Sequence, residues 1–199
     1  MITIGITGNL ASGKSEVSRI LKKKGAKVFD ADFAARQAVE RDKPVYKAIV
    51  KIFGKEYLKK NGELDRKKMA ARVFSRPADL KKLNILIHPG VIFECLRMME
   101  FYKKKSGFLA LDVPLLFESK MESLADYTVV ETADSKKILE RVKKKGMPEK
   151  LAKKILSTQW SSKKKAVLAD FVIENNGTLK ELEKKVLEVV EKIKLKNNF

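Results

Sequence analysis

Residues 8–15 read Gly8-Asn9-Leu10-Ala11-Ser12-Gly13-Lys14-Ser15 and fit the phosphate-cradling pattern G-x-x-x-x-G-K-[ST] at every fixed position. Glycines let the backbone turn tightly and bring its N–H groups close to phosphate oxygens. Lys14 brings a point charge to the β- and γ-phosphates, and Ser15 offers a hydroxyl to a magnesium ion bridging them. The flanks supply the context this pattern needs. Ile2-Thr3-Ile4-Gly5-Ile6-Thr7 is rich in β-branched residues and reads as a strand entering the loop. Val17, Ile20 and Leu21 then recur at helical spacing, with Gly25 as a left-handed cap. The whole loop, Gly8, Asn9, Leu10, Ala11, Ser12, Gly13, Lys14 and Ser15, together with Glu16 in the first helical turn, is the candidate ATP-binding segment.

Five segments read as buried parallel strands: residues 2–7, 26–29, 108–113, 127–131 and 171–174. Helical patterns separate them. Asp134 can cap a helix carrying Ile138, Leu139 and Val142, which stops before Gly146; Pro148 then opens another with Leu151, Ile155 and Leu156. Thr178 and Glu181 have capping-box spacing ahead of Leu182, Val186, Val189 and Ile193. Alternating strands and helices predict an α/β three-layer sandwich with a five-stranded parallel sheet. One stretch breaks the alternation. From about Phe33 to Tyr102 the pattern is helical except for a turn at Lys60-Asn61-Gly62, too long for a simple crossover. The expected organisation is a single domain over residues 1–199: a core of about 1–32, 106–133 and 165–199, an inserted helical subdomain of about 33–105 and a helical lid of about 134–164.

The net charge is +19, which by itself invites a nucleic-acid partner. Only eight of the 44 basic residues are arginine, however. The lysines fall in short triplets such as Lys143-Lys144-Lys145, without the interleaved aromatics that stack bases. A basic surface attracting phosphorylated small molecules is the reading taken, with no nucleic-acid partner. No run approaches the roughly 20 apolar residues of a membrane span, and the first residues enter a strand directly. The expectation is a cytoplasmic protein without a membrane partner. Cys95, the only cysteine, lies in an apolar helical stretch and reads as a small buried hydrophobe.

In an open parallel sheet, ligands sit beyond the carboxyl ends of the strands. The second strand ends at Asp30-Ala31-Asp32. A carboxylate there can orient an acceptor hydroxyl and take its proton, and Asp32 is the candidate catalytic base alongside Lys14. Asp32 can equally cap the helix that follows. Asp112 ends the apolar third strand, where a lone carboxylate is costly unless it serves a site; with Ser15 it is a candidate magnesium ligand. Arg141, before Gly146, can place a guanidinium over a transferring phosphoryl group, or stand solvated among lysines. His88 precedes Pro89 and reads as a junction between helices. Asp65-Arg66 reads as a cap and a surface charge, and Trp160 fits either a core or a nucleotide contact. The segment after Asp112 lacks the paired acids of motor ATPases, and no Asn-Lys-x-Asp motif occurs. Both absences favour a small-molecule kinase. Residues alone leave open a nucleoside or nucleotide kinase and, from another class, a nucleic-acid-linked NTPase.

Several segments recur together and in order: Ile4-Gly5-Ile6-Thr7-Gly8 with its loop, Asp30-Ala31-Asp32, Asp65-Arg66 with Val73-Phe74, and His88-Pro89. Then come Asp112-Val113-Pro114-Leu115-Leu116-Phe117-Glu118, Gln159, Lys165 and Ala169-Asp170-Phe171-Val172-Ile173-Glu174-Asn175-Asn176-Gly177. In this combination the chain resembles the dephospho-CoA kinase family. The resemblance implies transfer of the ATP γ-phosphoryl group, with Mg2+, to the ribose 3′-hydroxyl of dephospho-CoA, the last step of coenzyme A synthesis. It implies a helical CoA-binding subdomain and a mobile lid. Asp32 would be the base and Arg141 the lid arginine. Asn175 and Gly177 would lie near the adenine. Arg66, His88, Pro89, Leu115, Phe117 and Glu118 would border the acceptor. Where many members carry a second lid arginine, this chain has Lys145, which keeps the charge and loses the bidentate fork.

Overall fold

The computed structural model describes residues 1–198. Five parallel strands form one sheet in the order β2-β3-β1-β4-β5. They are β1 (Ile2–Gly8), β2 (Lys27–Asp30), β3 (Phe108–Asp112), β4 (Tyr127–Thr132) and β5 (Phe171–Glu174). Each of the five predicted strands is present, with ends moved by at most one residue. Chain order reverses around β1: the chain leaves it for β2 on one side, across β3, and later fills β4 on the other. The carboxyl end of β1 is therefore a topological switch point, where such sheets open a crevice.

The chain divides into two compact units. The first holds residues 1–30 and 99–199, including the sheet. Every residue of β1 is buried, as expected for a central strand covered on both faces. Helices α1 (Lys14–Lys23) and α9 (Leu179–Lys196) cover one side. Val17, Ile20 and Leu21 of α1 join Leu182, Val186, Val190 and Ile193 of α9 over Ile2, Ile4, Ile6, Val129 and Ile173. Each such side chain contributes roughly 1.5–3 kcal/mol by leaving water. The capping box at Thr178 and Glu181 is formed. A Cβ on Gly177 would run into the Glu181 carboxylate, so glycine is what lets that box close. The first unit also holds α6 (Ser135–Lys144), α7 (Glu149–Thr158) and α8 (Ser162–Leu168). Asp134 takes the N-cap position of α6, but its side chain makes no capping bond; its backbone N–H donates to Asn176 Oδ1 at 2.8 Å instead.

The second unit, residues 31–98, is helical. It contains α2 (Ala31–Ala38), α3 (Pro44–Phe53), α4 (Arg66–Val73) and most of α5 (Pro77–Tyr102). Its own core joins Val39, Ile49, Phe53, Leu64, Met69 and Val73. Asp65 caps α4 through the Lys68 amide at 3.0 Å. Two expectations are corrected here. Asp32 is not a helix cap, because α2 begins at Ala31 and places Asp32 inside its first turn. His88-Pro89 is not a junction either. Pro89 lies inside the single 26-residue helix α5. A proline there forfeits one backbone hydrogen bond. Val91 and Cys95, both buried, anchor the helix beyond it.

Candidate active site

The phosphate loop leaves the tip of β1 between β3 and β4. Ala11 and Gly13 take positive φ values of 58° and 124°. Positive φ at alternate residues is the backbone pattern from which an anion nest is built, while the Ser12 N–H between them donates back to Asn9 O at 3.0 Å and closes the turn. A Cβ on Gly13 would meet Asn175 Nδ2 and Glu131 Oε1, so only glycine fits between the loop and the tips of β4 and β5. Helix α1 opens at Lys14, and helix geometry leaves its first-turn amides without i−4 carbonyls. Glu16 donates its N–H to Gly13 O at 2.7 Å, and its carboxylate pairs with Arg19.

Lys14 and Asp112 come together. Lys14 Nζ is ion-paired with Asp112 Oδ1, and Ser18 Oγ donates to Asp112 Oδ2 at 2.6 Å. Asp112 is buried at the end of β3, and in sheet register it stands beside Asp30 on β2. Ser18 is the polar residue on the buried face of α1, which accounts for a hydroxyl in an otherwise apolar stripe. Ser15 follows Lys14 in the first turn.

Arg141, on α6, closes over the loop's carbonyl side. Its guanidinium donates to Ala11 O at 3.3 Å, to Ser12 O and to Asn175 O at 2.8 Å. Arg141 is thus not a solvated arginine. Lys145 follows α6 as its C-cap residue and is exposed.

The segment after β5 and the hinge before α8 grip the same loop. Asn175 Nδ2 donates to Ser12 O at 2.8 Å and to Glu131 Oε1 at 2.7 Å. Gln159 Oε1 accepts from the Leu10 amide at 3.0 Å, and Trp160 O accepts from Asn9 Nδ2 at 2.9 Å. Trp160 donates its own N–H to Glu118 Oε1 at 2.9 Å, and its ring carries Lys164 Nζ at 3.4 Å. The backbone of Trp160 is thus a relay between the loop and the β3 segment.

Glu118 in turn meets Lys165, whose side chain has no exposed surface. Lys165 Nζ lies 3.0 Å from Glu118 Oε1 and donates to Pro114 O at 3.0 Å. Burial lowers the Lys165 pKa, opposed by its Glu118 partner. Of the acceptor candidates on this segment, Leu115 and Glu118 are half-buried and Phe117 is buried. Lys165→Met should strand the Glu118 carboxylate and cost about 3–5 kcal/mol. That is a fall in Tm of roughly 10 °C for a chain of this size. Lys165→Met/Glu118→Gln should recover part of the loss, as read by thermal unfolding.

Glu131 joins the site without having been among the sequence candidates. It lies at the end of β4, fully buried, in register with Gly8. Ser12 Oγ donates to its Oε2 at 3.3 Å. Burial pushes its pKa up to about 7, against the pull of Asn175, Ser12, Arg141 and Lys14. An acid ending an apolar run is the signal that singles out Asp112, and Glu131 carries it too.

Four candidates lie in the second unit. Asp32 is in the first turn of α2, where a negative charge is favoured by the helix dipole. Arg66 opens α4 and donates to Arg36 O at 3.3 Å. His88 and Pro89 line an open groove of about 510 Å3 along α5 with Leu80, Asn84, Ile85 and Ile92. Burial lowers the His88 pKa.

A model of the dephospho-CoA kinase family matches residues 2–181. The chain belongs to the dephospho-CoA kinase family. A dephospho-CoA kinase of Bacillus cereus is 42% identical over 191 residues, covering 95% of both chains. Among solved structures, TT1252 from Thermus thermophilus superposes with a TM-score of 0.80 at 33% identity, covering 96% of each chain. The dephospho-CoA kinase from Campylobacter jejuni gives 0.71 at 25% identity over 98% of each. Kinases of this family take the transferred phosphate from ATP. Among the described residues no helix is long and apolar enough to cross a membrane.

Proposed function

We propose that this chain transfers the γ-phosphoryl group of ATP to the ribose 3′-hydroxyl of dephospho-CoA, in the cytoplasm, with Mg2+ as the metal. The observation that carries the reading is the loop itself: Lys14 held at the strand tips against Asp112, on a loop whose backbone has positive φ at Ala11 and Gly13. That arrangement suits the negative charge of a polyphosphate tail.

The donor set suits magnesium. Asp112 is a hard oxygen ligand on a strand tip and Ser15 a hydroxyl at the helix start. Mg2+ takes one or two such protein oxygens and completes its shell with phosphate and water. When bound, it neutralises charge on the β- and γ-phosphates. The protein's own part is then positional. Lys14 leaves Asp112 for the incoming phosphates and keeps the tail in line. Asp32 orients the acceptor hydroxyl and accepts its proton. Arg141 steadies the loop and carries positive charge towards the transferring group. Asn175 and Gly177 border the adenine. Arg66, His88, Pro89, Leu115, Phe117 and Glu118 border the acceptor. Closure of the 134–164 segment excludes water and limits idle hydrolysis.

An acceptor panel with Mg-ATP tests the substrate. Dephospho-CoA should be consumed at least about a hundredfold faster than adenosine, AMP or shikimate, since sites built for a polar substrate reject analogues lacking it. ATP turnover that ignores the acceptor and rises with added nucleic acid would overturn the reading.

A further inference from the structure

Behind the loop lies a closed polar circuit whose one acid, Glu131, the phosphoryl-transfer reading does not use. Glu131 accepts from Ser12 Oγ and Asn175 Nδ2, Asn175 Nδ2 also donates to Ser12 O, and Arg141 bonds Ser12 O and Asn175 O. Every bond either fixes the backbone between Ala11 and Gly13 or fixes what holds it. Glu131 is the one acid in the circuit and has no exposed surface. The charged groups facing it are Lys14 from α1 and Arg141 from α6; the loop, Gly8 and Asn175 present neutral groups.

We propose that Glu131 is a positioning residue of the phosphate site, shaping the loop through Ser12 and Asn175 and holding or releasing a proton in step with the nucleotide's charge. This rests on nucleotide binding at the loop. A carboxylate buried behind the anion nest repels a polyphosphate seated in that nest. When ionised, it accepts from Ser12 O–H. When protonated, it can donate to Ser12 Oγ while still accepting from Asn175, so the loop keeps its shape and loses the repulsion. With the carboxyl titrating at about 7, the free protein holds a mixture of both forms near neutrality. Nucleotide binding then draws a proton onto Glu131, by linkage.

The test is calorimetric titration with the non-transferable analogue Mg-AMPPNP at pH 7.5, repeated in buffers of different ionisation enthalpy. Comparison is with Glu131→Gln, whose amide keeps one acceptor and one donor and cannot titrate. The wild type should take up several tenths of a proton more than Glu131→Gln, an upper bound set by the free-state mixture. Between pH 6.5 and 8.5 its dissociation constant should weaken about threefold or more relative to the variant. Glu131→Ala, which removes the acceptor as well, should bind at least about tenfold more weakly than Glu131→Gln, since the hydrogen bonds from Ser12 Oγ and Asn175 Nδ2 are both lost. Equal proton uptake and parallel pH profiles in wild type and Glu131→Gln would overturn the proposal while leaving the kinase reading standing. No binding of the analogue by the folded wild type at any pH would overturn both.

Discussion

Lys14→Ala is expected to lower kcat/KM at least about a thousandfold, because it removes the loop's own cation from the proposed site of the β- and γ-phosphates. The same change has a structural cost of its own. Lys14 and Asp112 are 12% and 6% exposed, so the variant leaves a buried carboxylate held only by Ser18. Breaking such a pair costs about 3–5 kcal/mol, enough to lower Tm visibly without unfolding a chain of this size at assay temperature. Lys14→Ala/Asp112→Asn removes the stranded charge. It should regain most of the lost Tm and none of the lost activity. Recovery of turnover in the double variant, or near-normal turnover in the single one, would take the lysine out of the chemistry.

Asp32→Asn should reduce kcat by about a hundredfold to ten-thousandfold, the range for losing a positioned proton acceptor. Binding of Mg-ATP, measured by calorimetry, should change less than about twofold. Magnitudes decide between this role and a structural one. Asp32 sits in the first turn of α2, where the helix dipole alone favours its charge by about 1 kcal/mol. That is roughly a factor of five in any equilibrium. A loss of kcat larger than this, with the fold and nucleotide affinity intact, assigns Asp32 to the reaction. Equal losses in kcat and in ATP affinity would return it to structure.

What can be read from the sequence divides along a physical line. The strands are legible because central parallel strands are buried on both faces and leave short runs of apolar and β-branched residues, as Ile2–Gly8 and Phe108–Asp112 do. The Thr178–Glu181 box and the Asp65 cap are legible because capping is local and depends on spacing. Long-range partners are not. Nothing near Arg141 announces that its guanidinium will meet carbonyls 130 positions away. Asp134 holds its cap position yet gives its amide to Asn176, a choice made by the packing of two distant segments. Pro89 misleads because a proline is an interruption only where the helix beyond it has nothing to hold it; Val91 and Cys95 supply that hold. Glu131 is easy to overlook because Val129 and Val130 beside it suggest an ordinary buried strand, and its partners Ser12 and Asn175 are remote in the chain.

The central claim is a transfer between two named oxygens, and isotope labelling follows it directly. The protein is incubated with Mg2+, dephospho-CoA and ATP carrying 18O on the γ-phosphoryl group, and the products are weighed by mass spectrometry. The account predicts labelled CoA and ADP in equal amounts, with the heavy phosphate on the ribose 3′-position in the fragment spectrum. Label appearing in free phosphate, on another hydroxyl, or nowhere outside ATP would contradict it.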